Sequence, residues 1–487
     1  MKKLLPALSL ILFLSFVTSG LYIFGLPPFQ SGGPFFPAAP QNPQTEQGTQ
    51  KVERNKTYTE HISRGALLEQ NGYYSLAIAE YEAASKLDLT NPEPFVKIGR
   101  IHLLNHEYDA AVANFQQANK LAPNNTDTLV YLGRSYLGNR QIDEAKNLFA
   151  NLNADSQTAK YYQGIIAAFS GEYDKSKDLL KKAVEMGGSD DITKKAQNYL
   201  NAFNEFNFNQ GGEPIHLKAL LARSFNQTGE YQLAIPLLFD VIKAQKDYRD
   251  AWVLLGYAYL SIDKYQDALE SLNQAKNLDP QKPETYYFLG LTYYDLNNLP
   301  LAAANLELAK KNGFQPVIQI NQKLAEIYLQ LKDYNKSAQN YENVLAINDQ
   351  DINYYIRPIW LYTEKTNQPD KALSLAEKAY LKHPNEAMSY NLLAWAQISA
   401  GQLDQAEKNL QTGINIDPQL EAIYLNFGLL NEKKGNTSQA LTYYQKAHDM
   451  GKGNSISASA TERYTNLVAK VKGVDPNTLK ANVLNAQ

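Results

Sequence analysis

The stretch RDAWVLLGYAYLSIDKYQDALESLNQAKNLDPQK, Arg249–Lys282, decides the fold. Trp252, Leu255, Gly256 and Tyr259 stand at its positions 4, 7, 8 and 11, one face of a helix with a 3.6-residue period. Ala268, Leu272 and Ala275, at positions 20, 24 and 27, form a matching face on a second helix. Pro280 then closes that helix, because proline cannot continue one. The next stretch repeats the text with Tyr286, Leu289, Gly290, Tyr293, Ala302, Leu306 and Ala309.

Working outward, a small residue recurs at position 8: Gly65, Gly99, Gly133, Gly164, Ala222, Gly256, Gly290, Ala325, Ala394 and Gly428. A second one follows twelve residues later, from Ala77, Ala111 and Ala145 through to Ala406 and Ala440. Most steps are 34 or 35 residues, a period that means stacked helical hairpins. Glycine inside a helix costs about 1 kcal/mol relative to alanine, so its repeated use there needs a steric reason. The expected reason is close approach of the two helices of each hairpin. Gly72, Gly171, Gly229, Gly401 and Gly435 mark the turns, and Pro123, Pro384 and Pro418 further helix ends. The ninth unit departs from the pattern, with Trp360 at the small position and Pro358 inside the first helix. Its packing must differ, either as a bend or as a locally drifted repeat.

These residues resemble the tetratricopeptide repeat family, in eleven units over about four-fifths of the chain. The resemblance implies an all-α, right-handed α-solenoid of helix-turn-helix repeats. The spacing breaks between Gly164 and Ala222. LysAlaValGluMetGlyGly (182–188) precedes a helical stretch from Asp191 to about Phe206, and LysAlaHisAspMetGlyLysGly (446–453) precedes one from about Ala458 to Val471. Exposed ends of stacked arrays need covering, so both stretches read as caps. The expected organisation is an anchor over 1–28, a spacer over 29–56, a four-unit array over 57–188 and a cap with linker over 189–212. A seven-unit array over 213–450 and a cap with tail over 451–487 follow. One continuous superhelix is the alternative.

Lys2 and Lys3 precede an apolar run from Leu4 to Leu26. As a helix, 23 residues rise about 34 Å, enough to cross a hydrocarbon core of about 30 Å. The favoured reading is an uncleaved single-pass transmembrane helix, with a cleaved signal peptide and a secreted or periplasmic product as the alternative. The lysines favour an inside N-terminus, which puts the repeats on the extracytoplasmic side. The segment from Pro27 to Gln50 is rich in Pro, Gly and Gln and reads as an extended spacer.

With 47 basic and 50 acidic residues and no basic run, the chain does not read as a nucleic-acid binder. It has no Cys. GxxxxGK[ST], GxSxG and HExxH are missing from the sequence, and His102 and His106 lack a third ligand nearby. No enzyme activity, cofactor or metal is therefore expected. In the family the first helix of each unit lines a concave surface through positions 2, 5, 9, 12 and 13. Carried over by resemblance, the peptide-binding groove here comprises Arg100, Arg134, Tyr161, Phe169, Arg223, Asn226, Tyr257, Tyr287, Tyr294, Arg357, Asn391 and Trp395. Arginines in register suit carboxylates on an extended peptide, and aromatic rows suit proline-containing peptides or sugars. The leading expectation is a membrane-tethered scaffold that binds other proteins in the cell envelope. A polymer-handling factor for polysaccharide, pilus or outer-membrane assembly, and a non-catalytic enzyme subunit, stand as alternatives.

Overall fold

Helix pairs of eight to fifteen residues per arm follow the small-residue period. The computed structural model describes residues 57–152, 156–208 and 213–478. The expected anchor and spacer, residues 1–56, lie outside them. Among the described residues no helix is long and apolar enough to cross a membrane. They form 24 α-helices, one π-turn and one 3-10 turn, with no strand. The chain divides into two units, which part between Leu296 and Asn297.

In the first unit, α1 (Tyr58–Gln70) pairs with α2 (Tyr74–Leu87), and α3 (Glu93–Leu104) with α4 (Tyr108–Leu121). Then come α5 (Thr126–Gly138) with α6 (Ile142–Asn151), and α7 (Gln157–Phe169) with α8 (Tyr173–Glu185). The single helix α9 (Asp190–Phe208) follows. The pairs resume with α10 (Pro214–Thr228) and α11 (Tyr231–Ala244), then α12 (Arg249–Leu260) and α13 (Tyr265–Leu278), and α14 (Pro283–Asp295) ends the unit. The stretch expected as a cap is α9. It packs on α8 and α7 on one side and on α10 on the other. One apolar cluster runs through it, from Leu137 to Ile262, with Tyr199 and Phe203 buried at its centre.

The second unit opens with α15 (Leu299–Lys311), followed by α16 (Val317–Gln330) with α17 (Tyr334–Ile347). Helix α18 (Asn353–Trp360) runs into the π-turn Leu361–Lys365 and packs on α19 (Pro369–Lys382). Helices α20 (Ala387–Ser399) with α21 (Leu403–Ile416), and α22 (Glu421–Lys433) with α23 (Thr437–Gly451), complete the pairs. Helix α24 (Ser455–Lys472) packs on α23 and α22.

The glycines at position 8 do have a steric reason, and the partner is the residue sixteen further on. A Cβ on Gly65 would stand 2.5 Å from Tyr81, on Gly133 2.3 Å from Phe149, and on Gly428 2.4 Å from Tyr444. Each glycine is a socket for a large side chain of its own hairpin, and the alanines at position 20 close the seam with no exposed surface. In the ninth unit the volumes are exchanged: Trp360 takes the socket position and the residue sixteen on is Ala376, both buried in one cluster. Pro358 brings no N–H, and Thr366 N donates to Leu361 O at 2.9 Å, five residues back. The widened turn is how this helix accommodates the substitution, since such bulges absorb an extra residue.

Each hairpin turn needs one residue in the left-handed region, where glycine carries no Cβ penalty. Gly72 and Gly229 supply it at φ 77° and 82°. His106, Arg140 and Asp263 take the same place at φ 60° without that advantage.

Candidate partner-binding faces

The first unit turns back on itself. Helix α11 touches α5, which brings the Gly229–Gln232 turn against the first helices of the second and third pairs. A cavity of about 370 Å³ lies between them. Arg100 on α3 and Arg134 on α5 are one repeat apart and flank a single ring, with guanidinium carbons 5.8 and 6.0 Å from the Tyr131 centroid. Neither arginine is ion-paired with a carboxylate among the described residues. Glu69 lies at the edge of the cavity, and its carboxylate accepts from Tyr81 OH at 2.7 Å.

Glu230 sits on the opposite wall, on the turn. Burial pushes its carboxyl above the ordinary glutamate range, against the pull of the Arg134 and Lys195 charges. Burial also lowers the His106 imidazole, opposed by the Asp263 charge. The His106 ring lies edge-on to Tyr231, 6.4 Å between centroids. Its Nδ1 is 2.9 Å from Tyr108 OH. His102 is instead bonded to Glu107, so the two histidines four residues apart serve different neighbours.

The second unit has an inner face of another kind. Glu364, on the π-turn, accepts from Trp395 Nε1 at 3.1 Å and from Arg463 Nη2 at 2.8 Å. Arg463 comes from α24, which thereby reaches across to a residue 99 positions earlier. Burial opposes the Arg463 charge, but Glu364, Tyr444 and Glu432 more than offset it and raise its pKa. Tyr444 OH donates to Glu432 at 2.6 Å and ties the network to the core.

The expected groove residues sort by burial. Tyr161, Asn226, Tyr257, Tyr287, Asn391 and Trp395 are buried and packed into the repeat seams. Asn226 Nδ2 donates to Leu254 O at 2.9 Å, and Asn391 Oδ1 accepts from Asn426 Nδ2 at 2.9 Å, each linking neighbouring pairs. Tyr257 lies 5.2 Å from Phe288, and Tyr161 5.0 Å from Tyr162. Phe169, Arg223, Tyr294 and Arg357 are half-buried, and Phe169 packs edge-on to Phe225 at 6.4 Å. Arg223 is bound by Glu205, and Arg357 lies 5.7 Å over the Trp360 ring. Arg100 is exposed and Arg134 half-buried, and these two alone of the twelve share the cavity. Sequence reasoning missed Tyr131, Glu230 and Arg463. Tyr131 works between adjacent units, whereas Glu230 and Arg463 meet units far apart in the chain, for which the period holds no signal.

Tetratricopeptide repeat models match residues 102–169, 318–351, 365–426 and 421–450, and a TPR repeat model matches 256–297. Over 243 residues the chain is 24% identical to the human (Homo sapiens) mitochondrial import receptor subunit TOM70, covering 47% of this chain and 40% of that protein. It is 24% identical over 155 residues to tetratricopeptide repeat protein 37 of Xenopus laevis, covering 30% of this chain and 10% of that one. The chain thus spans less than half the length of the curated relatives it matches. The crystal structure of yeast Tom70 aligns over 87% of this chain and 97% of its own, with 14% identity and a TM-score of 0.28. With the matched segments falling on the paired helices, the chain carries tetratricopeptide repeats, and its described residues form an all-helical solenoid.

Proposed function

We propose that this protein is a membrane-tethered scaffold that recruits other proteins through short segments bound on its repeats. The observation that carries the reading is the inner face of the first unit, where Arg100 and Arg134 line a cavity without an ion-paired carboxylate of their own. Guanidinium groups in that state are suited to fork onto a partner's carboxylate. Nothing among the described residues points to an enzyme, and no group of three His, Asp or Glu side chains there is arranged to hold a metal. A relative named as an import receptor subunit is in keeping with a role in binding protein segments. The polymer-handling reading draws less support, because Tyr257, Tyr287 and Trp395 are buried.

The tether rests on Lys2, Lys3 and the apolar run Leu4–Leu26, and the extracytoplasmic placement on the lysines before it. Protease added to intact spheroplasts is then expected to digest the repeats, and full protection would reverse the placement. Crosslinking in native membranes followed by mass spectrometry tests the scaffold. Reproducible crosslinks from lysines on the repeats to one set of proteins are expected, with loss of some on Arg134→Ala. A wild-type profile no richer than that of an unrelated membrane protein would end the reading.

A further inference from the structure

The cavity of the first unit holds charges that do not pair with one another. Arg100 and Arg134 stand on one side, sharing the Tyr131 ring. The Glu230 carboxyl stands on the other side, on the turn that closes the groove, and makes no hydrogen bond among the described residues. Glu69 adds a second carboxylate at the edge. A purely anionic ligand, such as a phosphate-rich chain, would meet Glu69 and Glu230. A purely cationic one would meet two guanidinium groups. A group that carries both signs satisfies each wall, since a buried or half-buried charge is costly until it is paired.

Size points the same way. About 370 Å³ is at the lower end for small-ligand sites and accommodates a group of amino-acid to dipeptide dimensions. The Gly229–Gln232 turn forms one part of the cavity's lining. We infer that the cavity between Arg100, Arg134 and Glu230 is a binding site for a zwitterionic group, its carboxylate on the two arginines and its ammonium on Glu230. Tyr131 then serves as the platform that sets the arginines one repeat apart. The group belongs either to a free amino acid or dipeptide, or to adjacent acidic and basic side chains of a partner segment. The second source rests on the scaffold reading, and the site itself does not.

Titration calorimetry on the full chain in detergent micelles tests this with lysylglutamate, its fully N-acetylated form, its amidated form, inorganic phosphate, and an end-blocked hexapeptide with an internal Lys-Glu pair. Lysylglutamate is expected to bind about tenfold more tightly than the acetylated or amidated forms. Arg100→Ala, at an exposed position whose loss leaves the fold intact, is expected to weaken it about tenfold. Glu230→Gln, of nearly the same shape, is expected to abolish the preference over the acetylated form. No binding by the wild type, equal binding of phosphate, or indifference to Arg100→Ala would overturn the site. Binding of the end-blocked hexapeptide identifies the partner segment as the source. Binding of the dipeptide alone identifies the free small molecule and removes this face from the scaffold reading. Partner crosslinks that persist without any dipeptide binding would leave the scaffold standing and the site refuted.

Discussion

The inner faces of the two units are built from the same repeat and use arginine in opposite ways. In the first, Arg100 and Arg134 lean on Tyr131 and face a cavity, with Glu230 across it but not ion-paired to them. In the second, Arg463 is bonded to Glu364, which Trp395 also holds, and Tyr444 and Glu432 stand beside it. One arrangement leaves charge available, and the other has consumed it. The difference teaches that the repeat fixes where a side chain stands. What that side chain is worth depends on which distant helix arrives opposite it.

The largest test compares two core aromatics by hydrogen exchange of the helices around each. Phe149→Ala in the first unit is expected to cost about 3–4 kcal/mol, the usual loss for a buried ring. Tyr444→Ala in the second is expected to cost about 4–5 kcal/mol, because the link to Glu432 goes with the ring. Equal costs would mean that the closed network adds nothing. Next, Arg463→Ala is expected to lose about 2 kcal/mol of protection in α24 and the π-turn, by leaving Glu364 half-buried and short of a partner. Arg100→Ala is expected to lose under about 1 kcal/mol, since only a contact with a ring face is given up. A loss at Arg100 as large as at Arg463 would break the contrast between the faces.

Between the two arginines stands Trp395→Phe, which removes one bond to Glu364 and is expected to cost about 1 kcal/mol. The smallest effect is one of pH. The folded state raises the Glu230 carboxyl and so holds its proton more tightly than the unfolded chain does. That contribution is fully present below the ordinary glutamate range and is lost as pH rises through the raised value. Protection of α10 and α11 is therefore expected to fall between acid and neutral pH by less in Glu230→Gln than in the wild type. An identical fall in both would place the titrating group elsewhere.

Much of this architecture can be read from Gly65, Gly99, Gly133 and their successors, because a steric socket demands a small residue at one spacing. Helix ends before Pro123, Pro280, Pro384 and Pro418 are equally legible, as each helix stops two residues short of the ring. The faces are less so. Position 9 correctly brings Arg100 and Arg134 into register, because that is a property of one repeat and its neighbour. It also yields Tyr257 and Trp395, which the packing of adjacent pairs has buried. The meeting of Glu230 with that register depends on the path through α9, and of Arg463 with Glu364 on the reach of α24. Neither is encoded within a repeat.

The exchange of volumes at Trp360 and Ala376 has a consequence for how such a chain can drift. Socket and filler behave as one two-residue letter, one member small and the other large, and the ninth unit spells it backwards. A lineage can reach that spelling only through an intermediate with two large groups or two small ones. The first is strained by overpacking and the second is weakened by a cavity. The widened helical turn at Leu361–Lys365 follows directly on Trp360, and it is the turn that delivers Glu364 to the second unit's closed network. Wherever else this repeat carries a bulky residue at position 8, a small one sixteen places on is the first thing to look for.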